Sequence, residues 1–173
     1  MNLLNWVQFE WDLTKFSDID PNLPDHYQIA PATKNDEVGL RKLFSSAFLL
    51  DPSWNPAIAQ TMQTIQPWLD QALETEAKIC LALRHGLRII GASVISTDPS
   101  AGNHLMPGPC VLMEYRNRGF GTALLRSSLK LLIEARLTRA FAITRENAPV
   151  TKFLYPKFGG VVTTTNRPTL LAA

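Results

Sequence analysis

One strand-to-helix junction constrains this chain most, because it combines two closely spaced glycines with two arginines. Residues 110–113 (CVLM) form an apolar run typical of a strand, and residues 114–121 (EYRNRGFG) lead directly into a stretch whose leucines recur at helical spacing. A helix that begins behind a glycine-rich turn exposes unpaired backbone N–H groups and about half a positive charge. The sequence therefore predicts an anion site at residues 116–121.

The glycines and arginines of this turn suit a phosphate-bearing ligand. Gly119 and Gly121 would let backbone N–H groups approach a ligand without hindrance from a Cβ. Arg116 and Arg118 add full charges and forked donors that match phosphate oxygens. On the short pattern alone, an ordinary turn with two solvated arginines explains the residues equally well.

Two well-known phosphate-binding loops do not match this turn. A P-loop closes with Gly-Lys-Ser/Thr, whereas Thr122 follows Gly121 directly and no lysine appears before Lys130. A dinucleotide-binding GxGxxG fingerprint requires a third glycine, where this chain has Leu124. The sequence therefore disfavours both ATP or GTP hydrolysis and NAD binding.

The N-terminal residues alternate between apolar and polar side chains. This period of two predicts a strand over residues 7–13 with one buried face. Residues 18–25 hold two prolines and three aspartates and predict an irregular connector. We therefore predict an N-terminal extension over residues 1–25 and a single domain over residues 26–173.

Two helices are predicted in the first half of this domain. Thr33 and Asp36 have the spacing of a capping box and mark the start of the first helix. The second helix is indicated by apolar positions three or four residues apart over residues 58–73. Pro67 lies inside it, and we expect this proline to kink or divide the helix.

The remaining elements alternate between strands and helices. Asn147 is predicted as the N-cap of a last helix that carries Pro149 in its first turn and ends at Gly159-Gly160. This order predicts an α/β (α+β) fold with a mixed, mostly antiparallel central sheet flanked by helices on both faces. The predicted strands are residues 27–30, 78–83, 87–95, 110–113, 140–144 and 161–165, with a loop over residues 96–109.

Composition excludes several classes of protein. A formal net charge of +2 does not favour nucleic acid, which normally requires a clustered basic face. Cys80 and Cys110 lie in apolar runs without metal-ligand spacing, so we expect buried thiols and no metal site. No apolar run is long enough to span a bilayer and no secretory core precedes the acidic residues, so we expect a cytoplasmic protein without a membrane partner.

Several segments together resemble the GNAT superfamily of N-acetyltransferases. RNRGFG at residues 116–121 is similar to the family's (Q/R)-x-x-G-x-(G/A) acyl-CoA loop. Residues 147–160 (NAPVTKFLYPKFGG) resemble its closing segment, in which a tyrosine follows an asparagine. The similarity extends over roughly residues 27–165. The resemblance implies a GNAT-like fold and transfer of an acetyl group from acetyl-CoA to a primary amine of a small molecule or protein.

The resemblance also implies roles for individual residues. The backbone of Val111, Leu112 and Met113 would pair with the pantetheine arm of CoA like an added strand. The backbone N–H groups of Arg118, Gly119, Phe120, Gly121 and Thr122 would hold the diphosphate, aided by Arg116, with Asn147 near the cofactor. Tyr155 matches the tyrosine that protonates the departing thiolate, a step that a phenol performs more readily than water.

The general base is less well defined by the sequence. Where some family members place a glutamate, before the acyl-CoA loop, this chain has no carboxylate. His104 is the nearest titratable group and has a suitable pKa, although a histidine in a polar loop is more often simply solvated. Glu114 is expected to be a structural neighbour of the turn.

Three departures from the family pattern affect these expectations. Pro156 follows Tyr155 and could redirect its hydroxyl. Gly160 stands where the family usually has an aromatic residue, and only a short tail follows residues 161–165. We therefore expect the strand at residues 7–13 to supply the missing pairing, either within the chain or across a homodimer.

Alternative functions remain open on the sequence. A catalytically silent CoA-binding or regulatory module of the same fold, or a phosphate-ligand binder unrelated to CoA, would keep the same loop. The acyl acceptor is expected between residues 49–54 and 96–109, where Asp51 could attract a cationic amine or simply be solvated. The acyl group could be acetyl or longer.

Overall fold

The protein is described from a computed structural model, and the description covers residues 5–164. The backbone of this range forms two antiparallel sheets flanked by helices, which confirms the predicted fold class. The strands are β1 (Trp6–Asp12), β2 (Tyr27–Pro31), β3 (Lys78–His85), β4 (Arg88–Ser96), β5 (Cys110–Val111), β6 (Arg139–Arg145) and β7 (Val161–Thr164). The α-helices are α1 (Glu37–Leu49), α2 (Ile58–Glu74), α3 (Phe120–Glu134) and α4 (Pro149–Phe153).

The four-stranded sheet has the order β2-β3-β4-β5, with every pair antiparallel. The strands predicted at residues 78–83 and 87–95 form a hairpin, in which β3 and β4 turn at Gly86, whose φ of 59° favours glycine. The first helix begins as expected, because Thr33 and Asp36 form the predicted capping box. α1, α2 and α3 pack against β3 and β4 and bury the apolar stripes that their spacing predicted.

The three-stranded sheet has the order β6-β1-β7, so the N-terminal strand lies in its middle. β1 pairs antiparallel with β6 from Trp6 opposite Arg145 to Asp12 opposite Arg139, and β7 pairs on its other edge. The alternation predicted this strand correctly, because Val7, Phe9 and Trp11 are buried while Gln8 and Glu10 are more exposed. The missing pairing is thus supplied within the chain, and residues 6–12 are an integral part of the fold.

Trp11 also explains the glycine at position 160. A Cβ on Gly160 would lie 2.7 Å from Trp11 Nε1 and would overlap the carbonyl oxygen of Tyr155. The indole N–H of Trp11 donates a hydrogen bond of 3.0 Å to the carbonyl of Lys157. The indole ring of Trp11 in β1 therefore fills the space beside Gly160, where this sequence has no aromatic side chain of its own.

Two helices differ from the predictions in detail. α2 is not divided at Pro67, because Thr61, Ile65, Trp68 and Leu69 bury one stripe against the sheet on both sides of the proline. The N-cap of α4 is Ala148, since the chain turns at residues 146–147 before Pro149 opens the helix. α4 ends at Phe153, ahead of Gly159-Gly160, because Pro156 prevents its continuation.

Strand boundaries also differ from the predictions. β5 ends at Val111, and a short 3-10 turn at Met113–Tyr115 replaces the last residues of the predicted strand. The strand predicted at residues 161–165 is confirmed to Thr164, and residue 165 lies outside the described range. No helix of the described residues is both long enough and apolar enough to cross a membrane.

The predicted loop at residues 96–109 joins the two sheets. Leu105 forms a bridge with Ile95 of β4, and the N–H of Met106 donates to the carbonyl of Val94 at 3.0 Å. On the other side, the N–H of His104 donates to the carbonyl of Phe141 in β6 at 2.7 Å. Past this junction β5 and β6 belong to different sheets, and a cleft opens between them.

Candidate active site

The cleft between β5 and β6 has a volume of about 480 Å³. One end lies at the start of α3, the middle lies between β5 and α4, and the far end lies beneath the C-terminus of α1 and the first turns of α2. A cleft of this size, walled mainly by apolar side chains with a few polar groups, is typical of a small-molecule site.

The α3 end of the cleft is suited to an anion. Gly119 is the N-cap of α3 with a φ of 83°, and no side chain caps the helix. The first N–H groups of a helix have no partner within it, and the helix dipole places partial positive charge at this end. Gly119, Gly121 and Thr122 line the cleft here. The predicted anion site is thus one wall of the cleft.

Lys157 adds a full positive charge to this end. Its Nζ lies 2.8 Å from Oγ1 of Thr122, to which it donates a hydrogen bond, and it lines the cleft. No sequence motif assigned Lys157 a role. The only signal was its position two residues after Tyr155, and its approach to Thr122 depends on the turn that follows α4.

Arg116 has a different position from the one expected of a phosphate ligand. Its guanidinium donates to the carbonyls of Val111 and Ala47 at 3.0 and 3.1 Å and pairs with Asp51 at 3.1 Å. It therefore ties the end of α1 to the edge of β5. Asp51 is buried and lines the far end of the cleft.

The cleft wall also lacks the side chains of four other residues of the predicted CoA-binding set, namely Leu112, Met113, Arg118 and Phe120. Arg118 lies over the ring of Tyr115, with 5.7 Å between its Cζ and the ring centroid. The ring of Phe120 is buried against Tyr27 at 4.6 Å between centroids. Met113 is partly exposed on the 3-10 turn. Any contact of these residues with a ligand in the cleft would involve the backbone.

The edge of β5 presents a backbone donor to the cleft. The N–H of Leu112 donates to the carbonyl of Ile90 in β4 at 2.9 Å. In an antiparallel ladder, the neighbouring Val111 must then direct its N–H away from β4. Val111 lines the cleft, so this N–H is available to an extended ligand lying along the strand.

Tyr155 is held with its hydroxyl at the cleft. Its ring lies between Phe9 and Trp11 in edge contacts of 5.4 and 5.3 Å between centroids. Burial, with a smaller contribution from Cys110, raises the pKa of the Tyr155 hydroxyl well above its usual value, so it keeps its proton. Pro156 has not displaced Tyr155 from the cleft, because Phe9 and Trp11 of β1 pack against its ring.

His104 lies in the junction between the sheets and away from the cleft wall. Its Nδ1 accepts the N–H of Phe141 at 2.9 Å, so the proton is on Nε2, which donates to the carbonyl of Asp98 at 3.0 Å. The ring is fully buried, and this burial lowers its pKa. Both expectations for His104, a base or a solvated residue, fail on this geometry, because each ring nitrogen already holds the backbone.

Asn147 is exposed in the turn before α4 and does not line the cleft. The helix begins one residue later, and its N-cap Ala148 is the residue that faces the cleft. Glu114 forms an exposed ion pair of 2.9 Å with Arg88, as expected for a neighbour of the turn.

The far end of the cleft is largely aromatic. Trp54 contacts Trp6 at 6.1 Å and Phe48 at 5.0 Å between ring centroids, and all three line the cleft. Thr61 of α2 is buried there, and its Oγ1 has no hydrogen-bond partner among the described residues. Trp54 and Asp51 were expected near an acceptor, whereas Trp6 and Thr61 come from distant elements and no local pattern marks them.

The described residues contain neither a metal-binding cluster nor a reactive thiol. Among residues 5–164, no three His, Cys, Asp or Glu side chains cluster in a way that could hold a metal ion. Burial raises the pKa of both Cys80 and Cys110 to about 12, so neither thiol is a nucleophile at neutral pH.

Comparison with known sequences and structures gives a consistent result. The sequence profile of the Acetyltransferase (GNAT) family matches residues 39–159. A search of curated proteins found no match. A GCN5-related N-acetyltransferase structure from Sphaerobacter thermophilus superposes with a TM-score of 0.63 at 18% identity, over 93% of this chain and 49% of that one.

Two further structures are similar at low identity. A GNAT-family acetyltransferase from Novosphingobium aromaticivorans has a TM-score of 0.59 at 15% identity, over 92% of this chain and 60% of its own. AAC(6')-Iy, in complex with the bisubstrate analog CoA-S-monomethyl-acetylneamine, has a TM-score of 0.58 at 16% identity, over 83% of this chain and 95% of its own. The chain thus spans about half the length of the Sphaerobacter protein.

Proposed function

The chain belongs to the GNAT acetyltransferase family, and on this premise we propose that it transfers an acetyl group from acetyl-CoA directly to a primary amine. One observation carries the proposal: a single cleft is bounded by an uncapped helix N-terminus, an open strand edge and a buried tyrosine hydroxyl. These three features suit the diphosphate, the pantetheine arm and the leaving sulfur of acetyl-CoA.

The diphosphate would lie at the start of α3. The N–H groups of Gly119, Phe120, Gly121 and Thr122 would donate to its oxygens, and Lys157 would supply the nearby full charge. Gly121 is not required by the fold itself, since a Cβ there would make only ordinary contact with Leu154 at 3.6 Å. A ligand that closely approaches the backbone would explain why residue 121 is a glycine.

The pantetheine arm would extend along β5. Its extended chain would lie beside the strand edge at Val111, in the place of an added strand, and the Val111 N–H would remain for the thioester oxygen. Arg116 would position this edge, because it holds both the carbonyl of Val111 and the end of α1. Its contribution would come from positioning the cleft wall, and the phosphates would be held by other groups.

The reaction would be a direct displacement. The nitrogen of a neutral amine attacks the thioester carbonyl carbon, and the N–H of Val111 donates to the oxygen that becomes negative. The new C–N bond remains as the C–S bond breaks, and the electron pair of that bond passes to sulfur. The Tyr155 hydroxyl donates its proton to this sulfur, the amine releases one proton to water, and Tyr155 regains a proton from solvent before the next turnover.

A silent CoA-binding module is the second candidate, and a specific observation favours it. The described residues that line the cleft include no histidine, and their one carboxylate, Asp51, is paired with Arg116. A protein with this wall could bind acetyl-CoA and lack a strong base. Turnover on any amine excludes this candidate.

Binding and turnover measured on one preparation test the proposal. Calorimetric titration with acetyl-CoA, desulfo-CoA and ADP reports whether the whole cofactor is bound, and thiol release over a panel of amines reports transfer. We expect tighter binding of acetyl-CoA than of ADP and thiol release that depends on one class of amine. No binding of acetyl-CoA would contradict the proposal, and binding without turnover would favour the silent module.

A further inference from the structure

A half-buried arginine beside the far end of the cleft, which we call the acceptor end, has two unpaired nitrogens. Nε and Nη1 of Arg145 are shielded from solvent and have no hydrogen-bond partner among the described residues. Burying a charged group without partners is costly, and proteins normally compensate it with an anion. Arg145 is therefore a cation for which the described part of the chain supplies no counterpart.

Arg145 is not itself part of the cleft wall, but it lies on a face of the sheet that borders the acceptor end. It is the last residue of β6, directly opposite Trp6 of β1 and two residues after Ile143. Opposite residues of an antiparallel pair, and residues two apart on one strand, point to the same face. Trp6 and Ile143 both line the cleft, and the Cζ of Arg145 is 6.0 Å from the ring centroid of Trp54.

The surrounding wall is apolar, with one orphan hydroxyl. The rings of Trp6, Phe48 and Trp54 form one aromatic cluster at this end. Thr61 is 5% exposed, and its unpartnered Oγ1 belongs to a residue that lines the same end of the cleft. An occupant with an apolar body and a polar group would fill this space and satisfy the hydroxyl.

The charges here disfavour polycationic acceptors. The carboxylate of Asp51 faces the guanidinium of Arg116, so its charge is largely balanced. Arg145 adds a positive charge with no counterpart in the described residues, and a polyamine or aminoglycoside would bring further positive charge towards it. A carboxylate is the group that would compensate it, in the two-pronged geometry that guanidinium favours.

We propose that the acyl acceptor is a primary amine that carries a carboxylate on an apolar or aromatic body, of which an apolar amino acid is the simplest form. The guanidinium of Arg145 holds the carboxylate, the aromatic cluster holds the body, and the amine is directed towards the edge of β5. This inference rests on the proposed function, because it names the acceptor of that same reaction.

Matched ligands that differ only in the carboxylate provide the test. The protein is saturated with CoA and titrated with L-phenylalanine or with 2-phenylethylamine, and binding is followed by tryptophan fluorescence and calorimetry. Leucine with 3-methylbutylamine forms a second pair, and spermidine represents polycations. We expect each carboxylated amine to bind at least tenfold tighter than its partner, since a charged bidentate pair is among the stronger polar contacts.

Variants on one strand separate Arg145 from general charge effects. In Arg145→Gln the preference within each pair should fall to near one, and in Arg145→Lys it should fall only in part. Arg139→Gln is the matched control, because Arg139 lies on the same face of β6 and forms an exposed ion pair with Glu10. It should keep the preference of the unmodified protein.

Several outcomes would overturn the inference. These are equal binding within the pairs, tighter binding of spermidine, or an equal loss of preference in Arg139→Gln. Thiol release is recorded with the same ligands to separate the two proposals. If no amine is acetylated while the preference for carboxylated amines and its dependence on Arg145 persist, the proposed function fails and the carboxylate site stands.

Discussion

The hydroxyl of Tyr155 packs directly against the Cα of Gly108, and a Cβ at position 108 would overlap that oxygen. Gly108 therefore fixes where the hydroxyl lies in the cleft. We predict that Gly108→Ala displaces the Tyr155 side chain, destabilises the fold by about 1–3 kcal/mol as overpacked cores do, and lowers kcat at least tenfold. Thermal unfolding and thiol release measure the two effects.

Gly102→Ala is the control for this prediction. Gly102 lies in the same connection between β4 and β5, and the nearest atom to its Cβ would be Nε2 of Gln8 at 3.9 Å. The control should retain both stability and activity. A Gly108→Ala variant with the activity of the unmodified protein would show that the position of the hydroxyl does not matter.

Removal of the Tyr155 hydroxyl should separate catalysis from folding. Tyr155→Phe keeps the ring between Phe9 and Trp11, so we expect a melting temperature within a few degrees of the original. Loss of the proton donor should lower kcat by about 10²–10⁴ fold with little change in acetyl-CoA affinity. An unchanged kcat would assign Tyr155 a structural role alone.

The pH profile should follow the acceptor amine. Burial raises the pKa of Tyr155, so this hydroxyl remains protonated as pH rises through neutral and mildly alkaline values. The activity kcat/KM should therefore increase with pH as the amine loses its proton and reach a plateau above the amine's own pKa. A decline in activity between pH 8 and 9.5 would indicate that a different group donates the proton.

The same shift makes a prediction about stability. A group whose folded pKa is raised stabilises the protein below its unfolded pKa and loses this contribution as pH rises further. The unfolded value for tyrosine is about 10, so the contribution of Tyr155 should decline above about pH 10. Denaturant melts of the unmodified protein and Tyr155→Phe should differ in pH dependence only in that alkaline range.

Lys157 should contribute to cofactor binding through its charge. We predict that Lys157→Gln weakens acetyl-CoA binding by about tenfold and reduces the dependence of binding on salt, because one cation is removed from the diphosphate end. Lys152→Gln, an exposed lysine on α4, is the control and should change neither. Equal affinities of the two variants would exclude Lys157 from the site.

Gly121→Asp should distinguish the anion site from the fold. An aspartate in the first turn of α3 is compatible with the helix dipole, so the melting temperature should not fall. The same charge should repel a diphosphate and reduce acetyl-CoA binding at least a hundredfold. Calorimetry and thermal melts on one sample test both statements, and retained binding would place the phosphates elsewhere.

Local patterns predicted most of the secondary structure, including the glycine turn that opens α3. The capping box at Thr33 and the glycines before α3 depend on neighbours within a few residues, so one sequence reveals them. The roles of Arg116 and His104 could not be predicted in this way. Arg116 meets Asp51 across 65 residues, and His104 receives its partner from β6, 37 residues later.

The acceptor end shows the same limit more clearly. Trp6 and Arg145 lie 139 positions apart and become neighbours only when β1 enters the second sheet. Each alone is consistent with a surface residue or a core residue. The alternation over residues 7–13 predicted a strand correctly, but the identity of its partners depended on pairing that no local pattern records.

The central position of β1 has a consequence for how the protein is made. A ribosome completes β1 about 130 residues before it reaches β6, which corresponds to roughly 6–25 seconds of synthesis. During this interval, both edges of β1 and its buried face of Phe9 and Trp11 lack their native neighbours. Formation of the second sheet, and with it the placement of Tyr155, must therefore await the synthesis of β6 and β7.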